Sequence, residues 1–411
     1  MLLKDLKGKK IGICVSGGLD SKTVTKRLME EGLDVICFSA DLAQPDEKDI
    51  NDIITKMEPC GAPTYIVDVK DDMAEICYET IKASATYDGG YWNTTGIARA
   101  VTVRGIVRAM QEHGVEVLCH GATGRGNDQM RFERYTRALA PEMGVYAPWR
   151  DPELLEQFPG RTEMADYLAQ FDIPAVIGMK KKYSTDANLA GLSHEAEDLE
   201  ELETSCLIVE PTMGVWPADA PDKIENVTLT FQHGYCTTIN GEKVSPLQAM
   251  EKANEIAGRN GVWMKNALEN RIIGTKSRGV YEAPGMVLLH AGLENILQAT
   301  LDRNSFSLYK QMGDLISNLV YDGRYYDKSC QAARAAIDTL TESAEGEVTL
   351  GLYKGNVFFQ SMTDIYASLY NEADSSMEAS DGLNPASSQG FADIISVETA
   401  ALAKAGQFDD C

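Results

Sequence analysis

The chain has 411 residues, 44% of them hydrophobic and 24% charged, and a formal net charge of −24. That length exceeds one ordinary core and predicts about two or three domains of a soluble globular protein. The acidic balance opposes binding to a polynucleotide, whose phosphates need clustered Lys and Arg, and no apolar run approaches the roughly 18 residues that span a bilayer.

A single nucleotide is not excluded, because local backbone N–H groups and a helix N-terminus hold a small phosphate ligand against an unfavourable global field. The opening Met1-Leu2-Leu3-Lys4-Asp5 has neither a long apolar stretch nor a small-residue cleavage site, so a cytoplasmic protein is expected. The nine cysteines show no Cys-x-x-Cys spacing and the five histidines no H-x-x-x-H pair. Neither a metal site nor a redox motif is expected, only buried, reduced thiols.

In chain order, Lys10 to Ser16 reads as a buried strand, followed by a glycine turn and a helix from about Ser21 to Glu31. Asp34 to Ala40 and Pro63 to Val69 are the next strands. Val103, Ile106, Val107 and Met110 repeat at helical spacing, and that helix leads to a strand at Val115 to Cys119. Strands alternating with helices predict an α/β fold with a parallel, Rossmann-like sheet.

The pattern changes after about Pro174. Val227 to Phe231 alternates, Thr237 to Ile239 precedes the hairpin dipeptide Asn240-Gly241, and Lys354-Gly355-Asn356 joins a second strand pair. Helices are expected at Ser245 to Arg259, Gly285 to Asp302 and Ser305 to Val320. The polar stretch Ala373 to Gly390 reads as a connector before a last helix near Ala392 to Ala405. Expected domains are 1–174, 175–370 of α+β type, and 371–411 as connector and terminal helix.

Ser16-Gly17-Gly18-Leu19-Asp20-Ser21 falls between the first strand and the first helix. Glycines without Cβ let backbone N–H groups approach phosphate oxygens, hydroxyls add donors, and the helix end adds partial positive charge. An ordinary turn with a helix cap is the plainer alternative. The hexapeptide resembles the S-G-G-x-D-[ST] loop of the ATP-pyrophosphatase (PP-loop, HUP) families, which cleave ATP between the α and β phosphates. Lys22 departs from the second small hydroxyl residue that those families often carry.

Three more blocks follow: His120-Gly121-Ala122-Thr123-Gly124-Arg125-Gly126-Asn127-Asp128-Gln129-Met130-Arg131, then Tyr183-Ser184-Thr185-Asp186-Ala187-Asn188 with Ser193-His194-Glu195. The last is Leu268-Glu269-Asn270-Arg271 with Lys276-Ser277-Arg278-Gly279-Val280-Tyr281. With the loop at Ser16, these four collinear blocks resemble the argininosuccinate synthase family, bacterial branch, from about residue 10 to about residue 365.

The resemblance implies a ligase that adenylates citrulline with Mg·ATP, releases pyrophosphate, and lets the aspartate amine displace AMP. It implies no tightly bound cofactor and no covalent enzyme intermediate, so catalysis would rest on positioning and charge stabilisation. The ATP site it implies comprises Cys14, Val15, Ser16, Gly17, Gly18, Leu19, Asp20, Ser21, Lys22, Ala40, Gly121, Thr123, Arg131 and Asp186. Aspartate would meet Thr123, Asn127 and Asp128. Citrulline would meet Tyr91, Asn127, Arg131, Ser184, Ser193, Glu195, Glu269 and Tyr281. Asp20, Asp128 and Arg131 are the catalytic candidates. The resemblance also implies a homotetramer, with the terminal helix on neighbouring subunits.

Plainer roles stand beside these. Tyr91 could be packed aromatic core, Glu269 could pair locally with Arg271, Lys180-Lys181-Lys182 a solvated face, and His120 a neutral structural histidine. Trp263, bulky where many members have a glycine, is expected near the citrulline site. Gly96 stands where some members carry a hydroxyl. A PP-loop tRNA sulfurtransferase would need a nucleophilic cysteine motif and a basic surface, and an amidotransferase a glutaminase domain; neither is visible. A ligand-binding relic without turnover is the remaining alternative.

Overall fold

The computed structural model describes residues 1–124, 126–175, 183–376, 378 and 384–408. Lys180 to Lys182 and Arg125 lie outside the described residues.

The first half runs β1 (Lys10–Cys14), α1 (Leu19–Glu30), β2 (Asp34–Asp41), α2 (Asp52–Met57), β3 (Thr64–Asp68), α3 (Lys70–Lys82) and α4 (Thr94–Glu112). It continues through β4 (Val117–Cys119), α5 (Asp128–Leu139), β5 (Gly144–Tyr146), α6 (Pro152–Gln157) and α7 (Arg161–Ala169). The strands form one sheet in the order β3-β2-β1-β4-β5, and every neighbouring pair is parallel. Along β2, Val35 and Cys37 join a buried cluster with Leu28, Tyr146 and Leu168. Ile36, Phe38 and Ala40 join another with Met73, Ile97 and Val101. Both faces are covered, which is why these strands read as unbroken apolar runs.

The chain winds outward from β1 through β2 to β3, then crosses back to place β4 on the other side of β1. In an open parallel sheet such a reversal leaves a crevice beyond the carboxyl ends of the strands. The loops leaving β1 and β4 flank that crevice. They carry the Ser16 and His120 blocks.

The second half contains β6 (Ser184–Asn188), β7 (Gly191–Glu195), β8 (Glu225–Gln232), β9 (Tyr235–Ile239), β10 (Glu242–Lys243) and α8 (Pro246–Arg259). Then come β11 (Met264–Asn270), β12 (Lys276–Glu282), α9 (Pro284–Thr300), α10 (Arg303–Tyr321), α11 (Lys328–Thr341), β13 (Gly346–Tyr353) and β14 (Asn356–Thr363). Both expected hairpins form: Asn240 and Gly241 take φ of 51° and 80°, and Lys354 and Gly355 take 48° and 83°. Two consecutive left-handed residues match the twist of the flanking strands. α8 begins where Ser245 and Gln248 form a reciprocal capping box.

Two antiparallel sheets result, β10-β9-β8-β13-β14 and β11-β12-β7-β6. The second was not anticipated. It joins the Tyr183 and Leu268 blocks edge to edge, with Ser193 opposite Asp186 on one side and Tyr281 on the other.

One buried cluster extends from Phe38 and Val101 to Leu229, Leu289 and Val348, so the parallel sheet and the second half share a core. Met1–Ala367 forms one compact unit and Ser368–Cys411 another. The second unit holds α12 (Glu372–Ser375) and α13 (Ser387–Lys404), whose Phe391, Ile394, Ile395 and Val397 are exposed. Among the described residues no helix is long and apolar enough to cross a membrane. The eight described cysteines are all free, and Cys37, Cys60, Cys77, Cys119, Cys236 and Cys330 are buried.

Candidate functional site

A cleft of about 720 Å³ opens at the β1/β4 reversal and runs on to the face of the β11-β12-β7-β6 sheet. Its first end is the loop after β1. Ser21 Oγ accepts the Ser16 N–H at 3.0 Å, which folds the loop back onto the first turn of α1. Gly18 is the N-cap residue, and no side chain caps that helix end, so its leading N–H groups remain available to an anion. Cys14, Val15, Ser16, Asp20, Ser21 and Ala40 line this end. Burial raises the Asp20 carboxyl above its ordinary range, opposed by a backbone hydrogen bond and by Arg161. Burial likewise pushes the Cys14 thiol up to about 12 and keeps it protonated.

Gly17, Gly18, Leu19 and Lys22 do not line the cleft. The glycines shape the backbone, Leu19 is buried in the core, and Lys22 Nζ donates to the Pro174 carbonyl at 2.8 Å. Lys22 is thus a tether to the end of the first half.

The middle of the cleft is a charge cluster at the start of α5. Asp128 Oδ1 accepts from Arg131 Nη1 at 3.0 Å, and its Oδ2 accepts from Arg99 Nε at 2.9 Å. Burial alone would raise the Asp128 carboxyl, but the two guanidinium groups outweigh it and hold it below the usual range. Arg99 Nη2 also reaches Asp186 Oδ2 at 2.8 Å, and Thr95 Oγ1 donates to the same oxygen at 3.2 Å. Arg131 gives Nε and Nη2 to the Tyr321 carbonyl at 3.0 and 2.9 Å, leaving one N–H on each terminal nitrogen. Gly121, Thr123 and Asn127 line the same stretch.

The far end is built on strand register. Side chains on one face of a strand recur every second residue. Ser184 and Asp186 on β6 therefore share a face with Ser193 and Glu195 on β7 and with Tyr281 on β12, and the pairings Ser184–Glu195, Asp186–Ser193 and Ser193–Tyr281 bring them together. Tyr281 lies along β12 across Gly279 and donates to Glu269 on β11. A Cβ at Gly279 would stand 2.2 Å from the Tyr281 hydroxyl oxygen, so only glycine leaves the ring that path. Tyr91 stacks on Tyr281 with ring centroids 3.9 Å apart. It is packed aromatic and cleft wall at once.

Among the described residues the Glu195 carboxylate accepts no hydrogen bond. Burial, then the charges of Glu269, Asp128 and Asp186, raise its carboxyl from 4.5 to about 7, with Arg271 pulling the other way. Glu195 keeps partial exposure to the cleft, so water moderates the shift, while three neighbouring carboxylates fix its direction.

Most of the expected site residues therefore meet in one cleft. Reading the sequence missed Thr95, Arg99 and Arg271, which also line it. The signal for the first two was present: Thr95, Arg99, Thr102 and Ile106 follow one helical stripe on α4. Arg271 donates to Ser277 Oγ rather than pairing with Glu269. His120 is buried, stacked on Phe132, and lowered to about 4 by burial and then Arg150, so it is neutral. Trp263 departs from expectation. Its Nε1 donates to the Val215 carbonyl, its ring meets Trp216 edge-on, and it does not line the cleft.

The parallel sheet with its uncapped helix end at the strand-order reversal defines a nucleotide-binding α/β domain, here joined to a polar sheet that carries substrate-sized recognition groups. Residues 10–174 match the family model described as the arginosuccinate synthase N-terminal HUP domain, and residues 183–402 match the C-terminal domain of the same family. The chain is 39% identical over 386 residues to the argininosuccinate synthase of Rhodopirellula baltica, covering 93% of this chain and 95% of that one. It is 37% identical over 398 residues to the enzyme of that name from Shewanella woodyi, covering 95% of each. The one from Shewanella frigidimarina is 39% identical over 355 residues, 84% of this chain and 85% of its own. The chain belongs to the argininosuccinate synthase family.

Proposed function

We infer that this chain is an ATP-dependent ligase that condenses citrulline with aspartate to argininosuccinate, with release of AMP and pyrophosphate. The observation that carries the reading is the single cleft joining an uncapped phosphate loop to a wall of carboxylate, hydroxyl and guanidinium groups.

ATP enters as its magnesium complex, with the phosphates against Ser16, Ser21 and the leading N–H groups of α1, and the nucleoside side against Ala40 and Gly121. The citrulline carboxylate takes the remaining N–H groups of Arg131. Its α-ammonium meets Glu195 and Glu269, while Ser184, Ser193, Tyr91 and Tyr281 complete the pocket. The ureido oxygen attacks the α-phosphorus as the bond to the β-phosphate oxygen breaks, and the electron pair leaves with pyrophosphate. Positioning and fixed charge supply the rate, as no side chain becomes covalently attached.

Aspartate binds at Thr123, Asn127 and Asp128. Its amine, once deprotonated, attacks the ureido carbon. AMP leaves with the former ureido oxygen, and the nitrogen sheds one of its two protons to solvent and keeps the other in the guanidino group. Arg99 holds Asp128 ionised and ties it to Asp186 while both substrates assemble.

The protein acts in the cytoplasm, in arginine biosynthesis, as a homotetramer. The exposed Phe391, Ile394, Ile395 and Val397 of α13 support the last point, since apolar side chains left uncovered on a helix mark a packing surface.

Incubation with Mg·ATP and citrulline, with and without aspartate, tests the reading. Aspartate-dependent formation of argininosuccinate with one AMP and one pyrophosphate is expected. Citrulline binding without product would make the protein a non-catalytic relic.

A further inference from the structure

The α10 helix ends at Tyr321, which does not line the cleft yet touches several side chains that do. Its carbonyl, one of the last-turn carbonyls that a helix leaves without an internal partner, accepts two N–H groups of Arg131. The next carbonyl, of Asp322, accepts from Arg134. Two guanidinium groups of α5 thus close the negative end of α10.

The side chain is equally committed. Asn127 Nδ2 donates to the Tyr321 hydroxyl at 2.9 Å, and Asn127 Oδ1 accepts the Ile272 N–H at 3.0 Å. The amide is fixed at both ends, so its one remaining N–H is what it offers the cleft. The Glu269 carboxylate lies beside the phenol. Burial first, and that carboxylate second, keep it un-ionised. The ring stacks on Tyr87 with centroids 3.7 Å apart and an interplanar angle of 14°. Tyr87 is itself held by its hydroxyl bond to the Asn270 carbonyl at 2.9 Å.

We propose that Tyr321 is a positioning residue for the ligase reaction: its carbonyl aims Arg131, and its hydroxyl orients Asn127 toward the amino-acid substrates. The inference rests on the function proposed above. It adds a residue from the end of α10, far in sequence from every motif, to the apparatus that presents α5 to substrate. Tyr321 acts through Asn127 and Arg131 and touches no reacting atom.

Steady-state kinetics and thermal melting of the full chain test this with Tyr321→Phe, Asn127→Ala and the double variant. Tyr321→Phe keeps the ring and the carbonyl and removes only the hydroxyl. It is expected to raise KM for citrulline and aspartate about tenfold, the scale of one lost orienting hydrogen bond, with KM for ATP within about twofold. In the Asn127→Ala background the same change is expected to cost at least about threefold less, because the side chain it acts through is gone. A purely structural role would lower the melting temperature and act additively. Full additivity, or unchanged KM values in Tyr321→Phe, overturns the proposal.

Tyr87→Leu removes the stacking ring and its bond to the Asn270 carbonyl and leaves the Tyr321 hydroxyl in place. It is expected to raise the same two constants by a smaller factor, and it decides the matter if Tyr321→Phe does not fold. An inactive wild type would fail the ligase reading instead, and citrulline dissociation constants by calorimetry then carry the same cycle.

Discussion

Arg99 Nε lies 2.9 Å from Asp128 Oδ2 and its Nη2 lies 2.8 Å from Asp186 Oδ2, so one guanidinium on α4 ties the start of α5 to strand β6. Both carboxylates line the cleft, and neither tolerates desolvation without a counter-charge. Arg99→Leu is predicted to lower stability by about 3 kcal/mol, the usual cost of breaking a partly buried pair, and to lower kcat/KM for aspartate at least about a hundredfold. Urea unfolding and product assays at pH 7 measure the two. Arg99→Lys restores charge but not the fork, and falls between.

Gly279→Ala adds one methyl group where the Tyr281 hydroxyl passes at 2.2 Å. The ring must leave Glu269 or the strand must bend. We predict a Kd for citrulline raised at least about tenfold, with ATP affinity unchanged within about twofold. Calorimetric titration with each ligand checks it. An unchanged citrulline affinity would show that Tyr281 is not held by the absence of a side chain at 279.

Glu195 supplies a pH test. Its folded-state pKa is about 7, against an ordinary 4.5, so it favours the folded state fully below about 4.5, and that contribution is lost as pH rises through 7. Without ligand, the melting temperature of the wild type is predicted to fall more steeply between pH 5 and 8 than that of Glu195→Gln. Citrulline, bringing an ammonium, should flatten the difference. Its affinity is predicted to weaken by up to about tenfold per unit below pH 7 in the wild type and to stay flat in Glu195→Gln.

Lys22 is bonded to the Pro174 carbonyl rather than turned into the cleft. Lys22→Ala is predicted to change KM for ATP less than about threefold, whereas Ser21→Ala, which removes the acceptor of the Ser16 N–H, raises it about tenfold. The reverse order would place the lysine on a phosphate.

The parallel sheet was legible because β1, β2 and β4 are apolar on both faces, and the loop after β1 because its residues are consecutive. The sheet carrying Ser193, Glu195, Glu269 and Tyr281 was not. β6 reads Ser-Thr-Asp-Ala-Asn and β11 reads Met-Lys-Asn-Ala-Leu-Glu-Asn, strands too polar to announce a core face. Their pairing is set by register between segments far apart in the chain. Tyr321 was hidden for a related reason. It ends a helix whose apolar face dominates its pattern, and only the fold shows which loop it meets. Trp263 misled because nearness in sequence to Glu269 put it near the site, while it stands just ahead of β11, bonded to the Val215 carbonyl and packed on Trp216.

The central claim is that citrulline is activated through its ureido oxygen. Citrulline labelled with oxygen-18 at that atom, turned over with Mg·ATP and aspartate, decides it by mass spectrometry of the AMP. The account predicts one labelled oxygen in every AMP formed, because AMP leaves with the atom that attacked the α-phosphorus. Unlabelled AMP alongside argininosuccinate would contradict the adenylate route.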